Sequence, residues 1–113
     1  MEYTTLGDTG ATVSRLALGC MSFGSEHEWM LDEEEGRELI ERAIELGVNF
    51  FDTANMYSNG ESERVLGEAL AGYDRDEIVV ATKAYFQMDE SNPNSGGLSR
   101  KAIEQELSHS LDR

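Results

Sequence analysis

Two short apolar runs, each closing on a charged side chain, constrain this chain more than anything else in it: Asn49-Phe50-Phe51-Asp52 and Ile78-Val79-Val80-Ala81-Thr82-Lys83. Runs that are apolar throughout, rather than alternating, suit strands covered on both faces, as in parallel sheets. A third apolar stretch, residues 16–19, precedes them, and helix-patterned segments separate all three. Strand, helix, strand, helix, strand is the pattern of a parallel α/β fold, whose chemistry collects at the carboxyl ends of the strands. Asp52 and Lys83 are therefore expected on one rim. Tyr57, five residues beyond Asp52, would hang from the loop between them.

The rest of the chain is consistent with that frame. Residues 3–6 and 12–14 flank the turn-rich Gly7-Asp8-Thr9-Gly10 and read as a short hairpin, able to plug one end of a barrel. Gly19-Cys20-Met21-Ser22-Phe23-Gly24 is a glycine-flanked turn, where a ligand can approach the backbone. A plain tight turn explains the same spacing equally well, and it is not a G-x-G-x-x-G fingerprint. Asp32 as N-cap, Glu33 to Glu35 at the positive dipole end and Gly47 as stop predict a helix with Leu39, Ile40, Ala43 and Ile44 on its inner face. After a turn at Asn59-Gly60, a second helix is expected over residues 62–70, with Gly67 permitting close helix contact. Residues 85–98 are polar and glycine-rich, a long loop suited to a lid or substrate wall. Ser99 caps a third helix that lines up Ile103, Leu107 and Leu111 on one face, with His109 at its side and no partner in view.

Charge excludes one class of function. With 9 basic against 23 acidic side chains in 113 residues, a formal net charge of -14, and no basic patch, binding nucleic acid through its phosphates is ruled out. The acids are scattered as on a solvated surface, and only Lys83 and Lys101 are lysines; the balance leans toward a high-salt, halophilic setting. Cys20 stands alone, so no internal disulfide forms and a reducing compartment is expected. His27-Glu28 does not extend to H-E-x-x-H, because Leu31 occupies the second histidine's place, so no metal is expected. Trp29 suits either the wall of a pocket or packing on its own domain. No run approaches the ~20 apolar residues of a membrane span, and the start lacks a basic region followed by an apolar core. A single domain over residues 1–113, in the cytoplasm, is the expectation.

The motifs Gly19-Cys20-Met21-Ser22-Phe23-Gly24, Asn49-Phe50-Phe51-Asp52-Thr53-Ala54, Tyr57-Ser58-Asn59-Gly60-Glu61-Ser62-Glu63, Leu66-Gly67-Glu68-Ala69-Leu70 and Ala81-Thr82-Lys83 together resemble the aldo-keto reductase superfamily, in the branch related to potassium-channel β-subunits. The resemblance implies a (β/α)8 TIM barrel, of which this chain would be the N-terminal hairpin and first three βα units, reducing small aldehydes or ketones with NADPH. It implies Asp52, Tyr57 and Lys83 as catalytic residues, and Gly19, Cys20, Met21 and Asp52 near the nicotinamide end of the cofactor. The chemistry is coherent: a free phenol, with a pKa of about 10, holds its proton at neutral pH. A nearby ammonium makes it a better acid, while a carboxylate keeps the ammonium charged and oriented. A structural alternative has Asp52 capping a turn, Tyr57 packing in its loop and Lys83 reaching to solvent.

Against the resemblance stands length, since such a barrel takes about 250 residues. The family's active-site histidine has no counterpart, as neither His27 nor His109 matches it. Weak or absent catalysis by this chain alone is therefore expected. So is self-association through the exposed third strand and half-covered helices. Three readings stay open: an NADPH-dependent carbonyl reductase, a non-catalytic NADP-binding redox-sensing subunit, and an inactive truncated remnant.

Overall fold

In a computed structural model describing residues Met1–Arg113, β1 (Tyr3–Thr5) and β2 (Thr12–Ser14) form an antiparallel hairpin, with Tyr3 opposite Ser14. It is fastened across the amino end of a separate sheet. The Ser14 amide donates to Asn49 Oδ1 at 2.7 Å, Asn49 Nδ2 donates to the Thr12 carbonyl at 3.1 Å, and the Tyr3 hydroxyl donates to the Gly47 carbonyl at 2.8 Å. The hairpin thus closes the end opposite the strands' carboxyl termini, as a plug would.

The second sheet is parallel, in the order β3 (Leu18–Gly19), β4 (Phe50–Asp52), β5 (Val79–Ala81). α1 (Glu33–Glu45) and α2 (Glu61–Leu70) are the crossovers, and α3 (Arg100–Asp112) follows β5. α1 begins as expected. Asp32 accepts from the Glu35 amide at 3.0 Å while Glu35 accepts from the Asp32 amide at 3.3 Å, a reciprocal capping box. It ends where Gly47, at φ +88°, lets the amides of Gly47 and Val48 turn back to the carbonyls of Ile44 and Ala43. The core lies between sheet and helices and contains Cys20, Phe23, Ile40, Phe51, Val65 and Leu66. The architecture is a partial (β/α) barrel: hairpin plus three βα units.

Two expectations need correction. The first strand is shorter than residues 16–19, because the Ser14 hydroxyl donates to the Leu16 carbonyl and bends the chain there, leaving Leu16 exposed. On α1, Leu39 is exposed while Gly36 is buried. An added Cβ at Gly36 would lie 2.9 Å from Val65 and 3.3 Å from Phe23, so the absence of a side chain brings α1 onto α2. On α3 the apolar face is only partly covered. Ile103, Leu107 and Leu111 are 43, 52 and 76 % exposed, and the buried positions are Ala102 and Glu106. Leu107 and Leu111 line an open groove of about 390 Å3 with Leu66, Leu70 and Val80. No helix is long and apolar enough to cross a membrane.

Candidate active site

Strand register decides which side chains meet. Gly19 is in register with Asp52, and Asp52 with Ala81. Because side chains alternate between faces, Lys83, two residues past Ala81, returns to the face of Asp52. The ladder continues beyond the strands, through Thr53 N to Ala81 O at 2.8 Å and Asn55 N to Lys83 O at 3.2 Å, so this placement is held by backbone. The Lys83 ammonium then has three acceptors. Nζ donates to Asp52 Oδ2 at 2.8 Å, to the Thr53 carbonyl at 2.8 Å and to Tyr57 Oη at 3.4 Å. Both members of the ion pair are about half exposed, and the ammonium also lies 5.0 Å from the Tyr57 ring centroid. Partial desolvation draws the Lys83 pKa down, but the hydrogen bonds and charges of Asp52 and Tyr57 outweigh it and raise it above 10.5.

Tyr57 is presented by an unusual turn. Ser58 and Asn59 have φ of +47° and +50°, and Gly60 follows at +90°. Two consecutive non-glycine residues in the left-handed region are strained and persist only when neighbours hold them. The holding groups are present: the Ser58 hydroxyl donates to the Phe23 carbonyl at 3.0 Å, and Glu61 accepts from the amide and hydroxyl of Ser25. Gly24 makes room, since a Cβ there would lie 2.2 Å from Ser58 Oγ. The 20–24 turn and the tyrosine loop are therefore one interlocked unit.

The remaining predicted residues divide. Gly19 is exposed beside Asp52, a Cβ on it would meet no atom within 4 Å, and Met21 is exposed just beyond. Cys20 faces the other way. One position out of phase with Gly19, its thiol is fully buried among Phe23, Ile40 and Phe51. Burial, then the Asp52 charge, pushes its pKa up to about 12. That position therefore has only its backbone to offer a ligand on the rim, and its carbonyl already accepts from the Ser62 hydroxyl at 2.6 Å. His109 is not without a partner, since its Nδ1 lies 3.3 Å from Glu106 Oε1. Trp29 is exposed and stacks on His27.

Residue-by-residue reading missed three contributors. Thr53 supplies the backbone acceptor for Lys83 and packs its hydroxyl 2.9 Å from Ser62 Oγ. Glu63, buried, accepts from Thr82 and Arg113, each at 2.6 Å. Buried Glu106 accepts from Asn55 Nδ2 at 3.0 Å. The strand parity that puts Asp52 on the rim also puts Thr53 on the helix side, so that contact was open to inference. Nothing in the sequence pairs Glu106 with Asn55. Among titratable side chains, no group of three or more has the arrangement of a metal site.

The family model described as the aldo/keto reductase family matches residues 15–113. A versiconal hemiacetal acetate reductase from Aspergillus parasiticus is 41% identical over all of this chain and 39% of its own length. A Schizosaccharomyces pombe protein named as a candidate voltage-gated potassium channel β-subunit is 43% identical over all of this chain and 33% of its own length. The chain spans only 33 to 39% of these curated relatives. Among solved structures, a holo-form aldo-keto reductase from Bacillus halodurans superposes with a TM-score of 0.80 at 33% identity, covering 99% of this chain and 36% of that one.

Proposed function

The chain belongs to the aldo/keto reductase family of oxidoreductases, and on that premise we propose that it forms the amino-terminal part of one barrel domain reducing small aldehydes or ketones with NADPH, with Tyr57 as proton donor. The observation carrying this is the saturation of the Lys83 ammonium. Its three hydrogens face three acceptors, Asp52, Thr53 and Tyr57, which hold it beside the phenol.

Each residue then has a task. A carbonyl oxygen that receives a hydride at its carbon gains negative charge, and the Tyr57 hydroxyl quenches that charge by giving up its proton. Negative charge moves onto the phenolic oxygen, where the Lys83 ammonium stabilises it. Asp52 keeps the ammonium charged and aimed. The bound nicotinamide cofactor supplies the hydride. The rim fits its nicotinamide end: beside Asp52 the surface over Gly19 is open to a flat ring, with Met21 exposed next to it and the Cys20 backbone between them. A carbonyl small enough to reach Tyr57 Oη is the substrate.

A second reading draws on the channel-subunit relative, which matches as much of this chain as the reductase does. In it the same rim binds NADPH to report redox state without turnover. Titrating the whole barrel domain that contains this chain with NADPH, then adding a reporter aldehyde and following cofactor absorbance, separates the two. Binding followed by aldehyde-dependent oxidation supports reduction, binding without oxidation supports sensing, and no binding defeats both.

A further inference from the structure

Behind the tyrosine loop, on the side away from the rim, α3 meets the rest of the molecule through a buried carboxylate. Glu106 is 2 % exposed, and Oε2 accepts from Asn55 Nδ2 at 3.0 Å while Oε1 lies 3.3 Å from His109 Nδ1. Asn55 is itself 1 % exposed, three residues after Asp52 and two before Tyr57. A carboxylate with a charge to place seldom goes inside unless it is paired and hydrogen-bonded. Here it is buried beside Ala102, while Leu107 and Leu111 of the same helix face an open apolar groove. The buried polar contact that α3 makes is therefore the one from Glu106 to Asn55.

That partner is specified with equal care. A carboxylate only accepts, so Asn55 must point its NH2 toward Glu106, and its Oδ1 is left buried with no hydrogen-bond partner. An unsatisfied buried acceptor is destabilising, and natural structures keep few of them. The contact is retained at that expense. Meanwhile the Asn55 amide donates to the Lys83 carbonyl at 3.2 Å. Two of the three acceptors around the Lys83 ammonium, the Thr53 carbonyl and the Tyr57 hydroxyl, lie on the same 53–57 loop.

We propose that Glu106 is a positioning residue for the Asp52–Lys83–Tyr57 cluster, holding the 53–57 loop in place through Asn55. The inference concerns how the cluster is held, and it stands whether or not the chain turns over a carbonyl. Arg64 from α2, Asp89 from the loop after β5, and His109 and Arg113 line the polar pocket outside Glu106. Of these, only His109 contacts the Glu106 carboxylate.

Lysine chemistry supplies a readout independent of turnover. The chain has two lysines, Lys83 and the exposed Lys101. A protonated, hydrogen-bonded amine is a poor nucleophile, so competitive trace acetylation read by mass spectrometry gives a Lys83-to-Lys101 labelling ratio that reports the Lys83 hydrogen bonds. The full chain is compared with Glu106→Leu, Glu106→Asp and Glu106→Gln, each shown folded by circular dichroism. Glu106→Gln keeps an oxygen for Asn55 and is expected to leave the ratio at the wild-type value. Glu106→Leu removes the acceptor and is expected to raise the ratio severalfold; Glu106→Asp, which only draws the oxygens back, raises it less and serves if the leucine variant does not fold. A ratio unchanged in a folded leucine or aspartate variant overturns the proposal. So does a glutamine variant as reactive as the leucine one, because charge rather than positioning would then be responsible.

Discussion

Lys83 faces the rim and Cys20 the core, and a raised pKa at each makes the molecule sensitive to alkali. For Lys83 the folded pKa is raised, so its stabilising contacts are fully present below the ordinary lysine value and are lost as pH climbs through the raised one. For Cys20 the folded pKa rises from 9.0 to about 12, and the neutral thiol is the form the core accepts. Between those values the unfolded chain sheds a proton that the folded one retains, so stability falls by up to about 1.4 kcal/mol per pH unit. Denaturation midpoints measured from pH 8 to 11 should decline from about pH 9 in the wild type. Cys20→Ala should start its decline about one and a half units later, at the lysine. Lys83→Met should leave the thiol-driven decline in place. The rim assignment of Asp52 and Lys83 was legible because two apolar runs end on charges and parallel register then fixes their common face. The inward turn of Cys20 follows from the same parity, but a family resemblance that placed it near a cofactor drew attention from its face to its position.

Elements were legible where capping chemistry is local and illegible where a distant polar partner overrides it. Asp32 with Glu35, and Gly47, announce both ends of α1, and Asp32→Ala should cost about 1 kcal/mol in a denaturant titration. On α3 the i, i+4 spacing of Ile103, Leu107 and Leu111 made the apolar stripe legible, but not the burial of Glu106, whose partner Asn55 lies some fifty residues away. The turn at Asn59-Gly60 was foreseen but not its extension to Ser58, whose left-handed backbone depends on contacts with the 20–24 segment. Gly24→Ala tests that interlock. A methyl at φ +144° and 2.2 Å from Ser58 Oγ has to displace the tyrosine loop. The variant should lose more stability in denaturation than Asp32→Ala and should raise the acetylation of Lys83, whereas Asp32→Ala should not.

Across the whole molecule, charge and the open groove set the conditions under which the site exists. A formal net charge of -14 on 113 residues repels itself at low ionic strength. Screening length falls from about 10 Å at 0.1 M salt to about 3 Å at 1 M, so the thermal midpoint should rise between those concentrations, as the halophilic leaning of the composition requires. A flat or falling midpoint would remove that leaning. The partial barrel leaves Leu107, Leu111 and Val80 around an unfilled groove that Thr53 and Thr82 also line. The Asp52–Lys83–Tyr57 cluster is assembled from β4, the segment just after β5 and the loop between β4 and α2. The central claim is that Tyr57 gives its proton to a carbonyl oxygen while Lys83 holds the charge left behind. Aldehyde-dependent NADPH oxidation by the whole barrel domain that contains this chain and by its Tyr57→Phe variant, at matched cofactor occupancy and high salt, tests it most directly. The account predicts a rate at least about 100-fold lower for the phenylalanine variant with NADPH binding retained; a variant that oxidises NADPH as fast as the wild type would contradict it.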